Sequence, residues 1–339
     1  MFGIDDPVGS KRLGGMNPLI IAHQDADGVC SASIVVHKHE GAGEIVFTSP
    51  HLLGRVLKKI NIVKNIYVLD VALNKGDASV LRGLIELRRQ GSEVIVIDHH
   101  ISTMRVQQLL TVHGVNVMVS TERASAAEFC LELLYGAHAP QHLREVALMA
   151  SSMEKGRYDI LPERLRSELC LLSSAVNYGR IRREILGVVT KGLAEGRMPS
   201  EIEEVRKAHE EIREVMRRFQ KPAMKFLRRI SDDLYLWDLR RMFLGCVIAR
   251  CLIRCVIKRV EGVIVCLLPK GNNSKNIAVM IRKHESIRVD LLKLCHNAIM
   301  KCGGRINGHK EAVGGIIPVK KLNMFLKMLA SGLKEGVCS

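Results

Sequence analysis

Aromatic side chains are scarce in this sequence. They make up 4% of the 339 residues, and Trp237 is the single tryptophan. Proteins that hold an extended ligand by stacking along its length usually present more aromatic surface than this. The composition therefore argues against a long surface on which bases stack. Either an extended ligand is held mainly by charge, or the ligand is short.

Paired cysteines are missing too. None of the ten cysteines forms a Cys-x-x-Cys motif, which argues against a zinc ribbon or a disulfide scaffold. The densest group, Cys246, Cys251 and Cys255, lies in the apolar run GCVIARCLIRCVI, where thiols usually pack as small hydrophobes. We expect reduced core cysteines in a cytoplasmic protein.

Long uncharged apolar runs are also absent, because Arg250, Arg254 and Lys258 interrupt the most apolar stretches. The first residues do not read as a signal peptide, and we expect no membrane span. A hydrophobic content of 47% instead predicts a folded chain that is long enough for two domains with their own cores.

Acidic residues are fewer than basic ones. The chain has 35 Asp and Glu against 51 Lys and Arg, which gives a formal net charge of +16. A sustained positive field concentrates phosphates near the surface, so the balance favours a polyanionic partner.

Strand and helix patterns alternate in the first part of the chain. PLIIAH, EIVFTS, NIYVLD and EVIVID are nearly continuous apolar runs, as expected for strands covered on both faces by helices. The pattern is helical from about residue 124 to 230, with a charged helix over 200–219 that is typical of a connection between domains. DDLYLWDL, GVIVCLLPK and NIAVMIR then read as strands, followed by a helix, a Gly-rich loop, the strand GGIIPV and a terminal helix.

The predicted fold class is therefore α/β. A parallel-sheet domain over residues 1–185 is joined by a helical connector over 186–232 to a smaller α+β C-terminal domain over 233–339.

Acids and histidines follow three of the predicted parallel strands. They are His23, Asp25 and Asp27 after the first strand, Asp70 after the third, and Asp98, His99 and His100 after the fourth. A single aspartate at a strand end usually caps a turn. Acids or histidines at three strand ends of one sheet indicate a ligand-binding site, because ligands bind beyond the carboxyl ends of parallel strands. Carboxylates that lie close together repel one another, and bound divalent cations relieve this repulsion. A set of oxygen and imidazole ligands without cysteine favours two Mn²⁺ or Mg²⁺ ions.

The motifs HQDADG, VLD and IDHH resemble the first three motifs of the DHH phosphoesterase superfamily, and GGRINGHKEAVGG (303–315) resembles the signature of its C-terminal substrate-binding domain. The resemblance implies that His23 and Asp25 bind one metal, that Asp27 and His99 bind the other, and that Asp70 bridges them. His100 would contact the scissile phosphate, and Asp98 would orient the site. Asp98 could instead only cap the turn or helix that follows it, and His100 could be an ordinary core histidine.

The resemblance is incomplete at two places. The fourth motif of the family supplies another metal-binding aspartate, and in ASSMEKGRYD the aligned residue is Glu154, with Asp159 as a substitute. The C-terminal signature has fewer glycines than usual. The resemblance and the chemistry of phosphate binding together assign the following residues to the substrate: Arg282, Gly303, Gly304, Arg305, Gly308 and His309. Arg282 could equally be a surface arginine at the end of a strand.

Within the superfamily, the Asp-Ala-Asp-Gly form and the basic charge favour a compact archaeal RecJ-like exonuclease that acts on single-stranded DNA or RNA. Some such proteins associate with the replicative helicase through GINS. A nano-oligonucleotide phosphodiesterase is the alternative that the scarce aromatic residues leave open, and EKGRYD resembles the fourth motif of oligoribonucleases. A phosphoadenosine phosphatase is a further member of this alternative. A non-catalytic replication factor is a third hypothesis, but a decayed site would have lost several of the five principal ligands, and all five are present.

Overall fold

The computed structural model describes residues 17–61, 65–158, 160–179, 181–242, 246–268 and 275–336. The chain divides into two packing units, residues 1–210 and residues 211–339. The described residues of each unit contain one sheet.

The sheet of the first unit has five described strands: β1 Leu19–His23, β2 Glu44–Thr48, β3 Asn65–Leu69, β4 Glu93–Asp98 and β5 Asn116–Val119. Their order is β2-β1-β3-β4-β5, and every pair is parallel. The predicted parallel α/β sheet is confirmed. The short edge strand β5 was not predicted.

Nine described helices accompany this sheet: α1 Ala26–Lys38, α2 Pro50–Leu57, α3 Ala78–Arg89, α4 Ile101–Thr111, α5 Ala126–Tyr135, α6 Gln141–Lys155, α7 Glu163–Gly179, α8 Glu184–Ala194 and α9 Glu203–Met224. Side chains alternate between two cores. Ile20 and Ala22 of β1 pack with α1 and with helices α5 to α8, while Leu19 and Ile21 pack with α2, α3 and α4. Burial on both faces explains the unbroken apolar strands.

Helix α8 differs from the sequence expectation, which placed residues 186–232 in a connector. Leu186, Val189 and Leu193 are fully buried in the same core as α1. The segment is helical, as the pattern from about residue 124 to 230 predicts, but this helix covers the sheet instead of linking two domains. The long helix α9 crosses the boundary between the units at residue 210.

The second unit contains a six-stranded mixed sheet: β6 Leu227–Ser231, β7 Leu234–Asp238, β8 Val263–Leu268, β9 Asn276–Lys283, β10 Arg305–His309 and β11 Ala312–Pro318. The order is β10-β11-β9-β8-β7-β6, antiparallel except for the β7–β8 pair. Helices α11 Leu291–Cys302 and α12 Leu322–Lys334 cover one face, and α10 Cys246–Ile257 covers the other. The smaller α+β domain is confirmed, although β6 lies where a helix was expected.

Two further expectations need correction. The stretch 303–315 is no open loop, because it pairs as the hairpin of β10 and β11. Cys255 is exposed and Cys251 is only half-buried, so helix α10 does not bury all its thiols; the side chain of Cys246 lies outside the described residues. In the described part of the chain, no helix combines the length and the apolar character needed to cross a bilayer.

Candidate metal centre

The end of strand β1 presents a histidine and an aspartate in contact. His23 is the last residue of β1, and Asp25 is the N-cap of α1, where its Oδ1 accepts the N–H of Gly28 at 3.1 Å. The other carboxylate oxygen lies 2.6 Å from His23 Nδ1. The helix starts so close to the strand that a β-carbon at Gly28 would lie 2.1 Å from the carbonyl oxygen of His23. Glycine at position 28 therefore permits the tight turn that sets these two side chains side by side.

Asp70 follows strand β3 and lies between two histidines. Its Oδ1 is 3.4 Å from His99 Nε2, and its Oδ2 is 3.6 Å from His23 Nδ1. Its backbone is left-handed, with φ of 56°, and the side chain is buried. A non-glycine residue held in this conformation costs about 1–3 kcal/mol, so the surrounding structure imposes it. Each oxygen of this carboxylate faces a different histidine.

Asp98, at the end of β4, organises the histidine pair that follows it. One carboxylate oxygen accepts the backbone N–H of His99 at 2.9 Å and lies 2.7 Å from His100 Nδ1. The other accepts the hydroxyl of Thr103, and that hydroxyl oxygen in turn accepts the N–H of Leu73 at 2.8 Å. Burial would raise the pKa of Asp98, but the hydrogen bonds from His100 and Thr103 outweigh it and hold the pKa below its usual value. The carboxylate fixes one ring nitrogen of His100 and leaves the other available.

Asp27 is held by the start of another helix. Its two oxygens accept the backbone N–H groups of Ala126 and Ala127, at 2.7 and 2.8 Å, in the first turn of α5. One of these oxygens is also 3.6 Å from His99 Nε2. Unpaired N–H groups and the helix dipole both favour a carboxylate at this position.

Two compact groups of possible metal ligands result, and Asp70 belongs to both. One group is His23, Asp25 and Asp70, and the other is Asp70, His99 and His100; the donor atoms of each lie within 4.8 Å of one another. Neither group includes Asp27. The first set matches the sequence hypothesis, whereas in the second His100 occurs in place of Asp27.

The comparisons with known proteins bear on this geometry. The model of the DHH family, N-terminal domain, matches residues 17–153, which contain β1 to β5 and every strand-end ligand described above. This chain carries a DHH-family domain. None of the curated protein sequences is detectably similar to the chain.

Several solved structures resemble this chain over almost its whole length. The pGpG-specific phosphodiesterase PggH from Vibrio cholerae has a TM-score of 0.62 at 16% identity, over 95% of this chain and 100% of that chain. RecJ from Thermus thermophilus in complex with Mn²⁺ has a TM-score of 0.60 at 14% identity, over 94% of this chain and 52% of that one. CDC45 from Entamoeba histolytica has a TM-score of 0.53 at 9% identity, over 94% of this chain and 95% of that one. Identities this low show a shared fold alone.

The donor set fits divalent cations on electrostatic grounds. Burial and the negative charge of Asp70 raise the pKa of Asp27, and burial and the charge of Asp25 raise the pKa of Asp70 to about 7. Carboxylates that repel one another in this way are stabilised by a cation between them. Oxygen and imidazole donors without a thiolate suit Mn²⁺ or Mg²⁺.

Metal affinity is expected to rise with pH. A cation must displace the proton from Asp70, so each displaced proton should give about a ten-fold gain in affinity per pH unit below about pH 7. Burial would lower the pKa of His23, but Asp25 and Asp70 raise it to about 11, so its proton must also leave and the gain continues above pH 7. Calorimetric titration of Mn²⁺ at several pH values measures this; an affinity that does not change with pH would contradict the ligand assignment.

Glu154, the expected fourth-motif residue, lies at the exposed end of α6, directly after the matched region. Desolvation and the charges of Asp25 and Asp70 raise its pKa to about 7, so its carboxylate is close enough to interact with theirs. It belongs to neither compact ligand group. Its role as a ligand stays a prediction, and the alternative residue, Asp159, lies outside the described residues.

Replacing Glu154 tests that role. Glu154→Ala is expected to weaken Mn²⁺ binding about ten-fold or more and to lower turnover, because one charged ligand is lost. Glu154→Asp should retain most of both, and Glu154→Gln separates the loss of charge from the loss of size. Titration of Mn²⁺ into each variant is the measurement, and wild-type affinity in the alanine variant would show that Glu154 is not a ligand.

The predicted substrate residues of the second unit lie around the β10–β11 hairpin. His309 of β10 and Arg282 of β9 both pair with Ala312, so the backbones of these residues occupy one row across three strands. A β-carbon at Gly304 or Gly308 would lie 2.3 Å from a backbone oxygen of β11, so these glycines allow the strands to pair. Gly303 ends α11, and Arg305 is exposed on β10. Their contact with substrate stays a prediction.

Sequence reasoning missed two supports of the centre. Thr103 was overlooked because a threonine in the first turn of a helix has many ordinary roles. The start of α5 does have the capping-box sequence, a serine followed three residues later by a glutamate: Ser125 accepts the N–H of Glu128, while the Glu128 carboxylate accepts the N–H of Ala124, the residue before the N-cap. That signal predicts where the helix begins, but it does not show that the helix points at Asp27.

Proposed function

We propose that this DHH protein is a two-metal phosphodiesterase that hydrolyses single-stranded nucleic acid from an end, in the manner of a RecJ-like exonuclease. The observation that carries the proposal is the pair of ligand groups that share Asp70. Two divalent ions about 3.5–4 Å apart are the arrangement that phosphoryl-cleaving sites use.

The residues of the chain would have distinct tasks in this reaction. His23 and Asp25 would hold one ion, and Asp70 would contact both. The other ion would be held by His99 and by Asp27, which belongs to neither compact group but lies 3.6 Å from His99 Nε2. His100, the third member of the second group, would be left to contact the phosphate. The ions would supply a nucleophilic water and neutralise charge on the phosphate. His100, fixed at Nδ1 by Asp98, would donate from its other nitrogen to a phosphate oxygen.

The distribution of charge supports a polyanionic substrate. Residues 211–339 contain 26 Lys and Arg and 10 Asp and Glu, whereas residues 1–210 contain 25 of each. The whole formal excess of +16 therefore falls on the second unit. A field of this size attracts nucleic acid and gives salt-dependent binding.

A short substrate is the second candidate. PggH is a phosphodiesterase specific for pGpG, and the DHH protein covers all of that chain, whereas it covers about half of the Thermus RecJ chain. The 4% aromatic content also suits a short ligand. The fold shared with CDC45 supports the third hypothesis, a non-catalytic replication factor; association with GINS and the replicative helicase is part of that hypothesis.

Digestion of end-labelled oligomers distinguishes these functions. DNA and RNA oligomers of about two to twenty nucleotides, labelled at the 5′ or the 3′ end, are incubated with Mn²⁺, with Mg²⁺ or with EDTA. We expect stepwise products from long oligomers with Mn²⁺ and none with EDTA. Cleavage of dinucleotides alone would favour the short-substrate enzyme, and no cleavage of any oligomer would favour the replication factor.

A further inference from the structure

The second unit has a basic cleft at the free edge of its sheet, away from the β10–β11 hairpin. Phe226, Arg228, Asp238, Arg240 and Arg241 line it, and its volume is about 410 Å³. Strand β6, which carries Arg228, is an edge strand, and β10 is the edge strand on the other side. Two strands of the same sheet, β8 and β9, therefore lie between the strands that line the cleft, β6 and β7, and the β10–β11 hairpin.

Charge in the cleft is only partly neutralised. Arg240 forms a bidentate ion pair with Asp238, with distances of 2.8 Å from Nε to Oδ1 and 2.6 Å from Nη2 to Oδ2. The side chains of Arg228 and Arg241 are exposed, and within the described residues neither forms a hydrogen bond or an ion pair shorter than 4 Å, although the charge of Arg228 helps Arg240 to lower the pKa of Asp238. Two guanidinium groups thus remain for a ligand, and guanidinium matches the geometry of phosphate oxygens.

An aromatic side chain lies beside these charges. Phe226 precedes β6, its carbonyl accepts the N–H of Asp238 at 3.3 Å, and its ring is half-buried against the core that contains Trp237. A ring fixed by packing on one side can stack a base on the other at little cost in side-chain entropy.

The edge position suits a polymer. Pairing of β6 with β7 shifts register between Arg229 and Ser231, and such irregularities at a sheet edge end regular pairing. The cleft has the volume of a small-ligand pocket, so one nucleotide unit fits inside while the rest of a strand continues past the edge.

We infer that this cleft is a second binding site for single-stranded nucleic acid, in which Arg228 and Arg241 hold phosphate and Phe226 stacks a base. The inference rests on the proposed function and deepens it, because the cleft shares no residue with the metal centre and would bind a further part of a single strand. It accounts for binding of a strand by a chain with few aromatic residues.

The test is equilibrium binding of a twenty-mer to the full chain in EDTA, over a salt series, by fluorescence anisotropy. The double variant Arg228→Gln with Arg241→Gln is expected to lose at least about ten-fold in affinity at low salt. For this variant, the slope of log affinity against log salt concentration should become shallower by about 1.4, which is about 0.7 for each phosphate contact that is lost. Lys327→Gln with Lys334→Gln removes the same charge from exposed positions of α12 and is the matched control. If the two double variants lose the same affinity and slope, the inference is wrong.

Inorganic polyphosphate, measured as a competitor, separates phosphate binding from base stacking. Phe226→Leu should weaken binding of the twenty-mer about five-fold or more and leave polyphosphate unaffected, and Phe226→Tyr should restore the twenty-mer. Equal losses for both ligands, or none, would overturn the stacking role.

Hydrolysis of a dinucleotide separates this inference from the proposed function. The kcat/KM for hydrolysis of a dinucleotide should be the same in the arginine double variant as in the wild type. If the wild-type chain hydrolyses nothing, the proposed function fails while the binding data still decide on the cleft.

Discussion

Asp70→Asn is expected to lower phosphodiester hydrolysis about a thousand-fold or more. This carboxylate lies between His23 and His99 and belongs to both ligand groups, so its loss weakens both ion positions together. A bound metal contributes several kcal/mol to a phosphoryl transition state, and each 1.36 kcal/mol is a factor of ten in rate. Asparagine keeps the size of the side chain and tolerates the left-handed backbone, whereas Asp70→Ala adds a backbone penalty to the same loss.

The same substitution should stabilise the metal-free protein. Burial and the charge of Asp25 raise the pKa of Asp70 to about 7, far above the value in an unfolded chain, so its ionised form destabilises the fold. That destabilisation is absent below about pH 4 and grows until the pH passes about 7. In EDTA, the melting temperature of Asp70→Asn should therefore exceed that of the wild type at neutral pH, and the difference should disappear in acid.

Asp77→Asn is the control for these measurements. Asp77 is the N-cap residue of α3, seven positions further along, and its side chain makes no capping hydrogen bond. Near-wild-type hydrolysis is expected there. A mild effect of Asp70→Asn on the rate would show that Asp70 does not contact both ions.

Gly28→Ala is expected to destabilise the first unit by at least about 3 kcal/mol and to abolish metal binding. The added β-carbon would lie 2.1 Å from the carbonyl oxygen and 2.8 Å from the nitrogen of His23. Both are backbone atoms of a central strand, so the clash cannot be relieved by a change of rotamer, and the cost lies at the upper end for overpacking. His23 and Asp25 would be displaced along with the helix start.

Gly187→Ala offers a matched control. Gly187 is also a glycine within a helix of the same unit, but a β-carbon there would meet no atom within 4 Å. Alanine should stabilise the protein by about 0.4–1 kcal/mol, because glycine loses more backbone freedom on folding. Thermal unfolding of the two variants should give shifts of opposite sign; equal shifts would contradict the close approach at Gly28.

The parallel character of the first sheet, and the types of side chain at its edge, could be predicted from the amino-acid sequence. Continuous apolar strands alternating with helices specify a parallel sheet, and the carboxyl ends of such strands meet at one edge. His23, Asp70 and His99 could therefore be placed together without coordinates. The fold of the second unit was also predictable in outline, because its longer strands have the same apolar signal.

The supports of the candidate ligands, in contrast, follow from contacts between segments that are far apart in the chain. Asp27 is held by the start of α5, about one hundred residues further along, and Thr103 ties Asp98 to the loop after β3. Such contacts join segments whose local sequences are ordinary, so no periodicity or motif reports them. The cleft at β6 depends on the strand order of the second sheet in the same way, since the edge position of Arg228 follows from which strands pair. Local sequence patterns predict the secondary structure and show which types of side chain follow each strand. Contacts between distant segments then set the orientation, the burial and the charge state of those side chains.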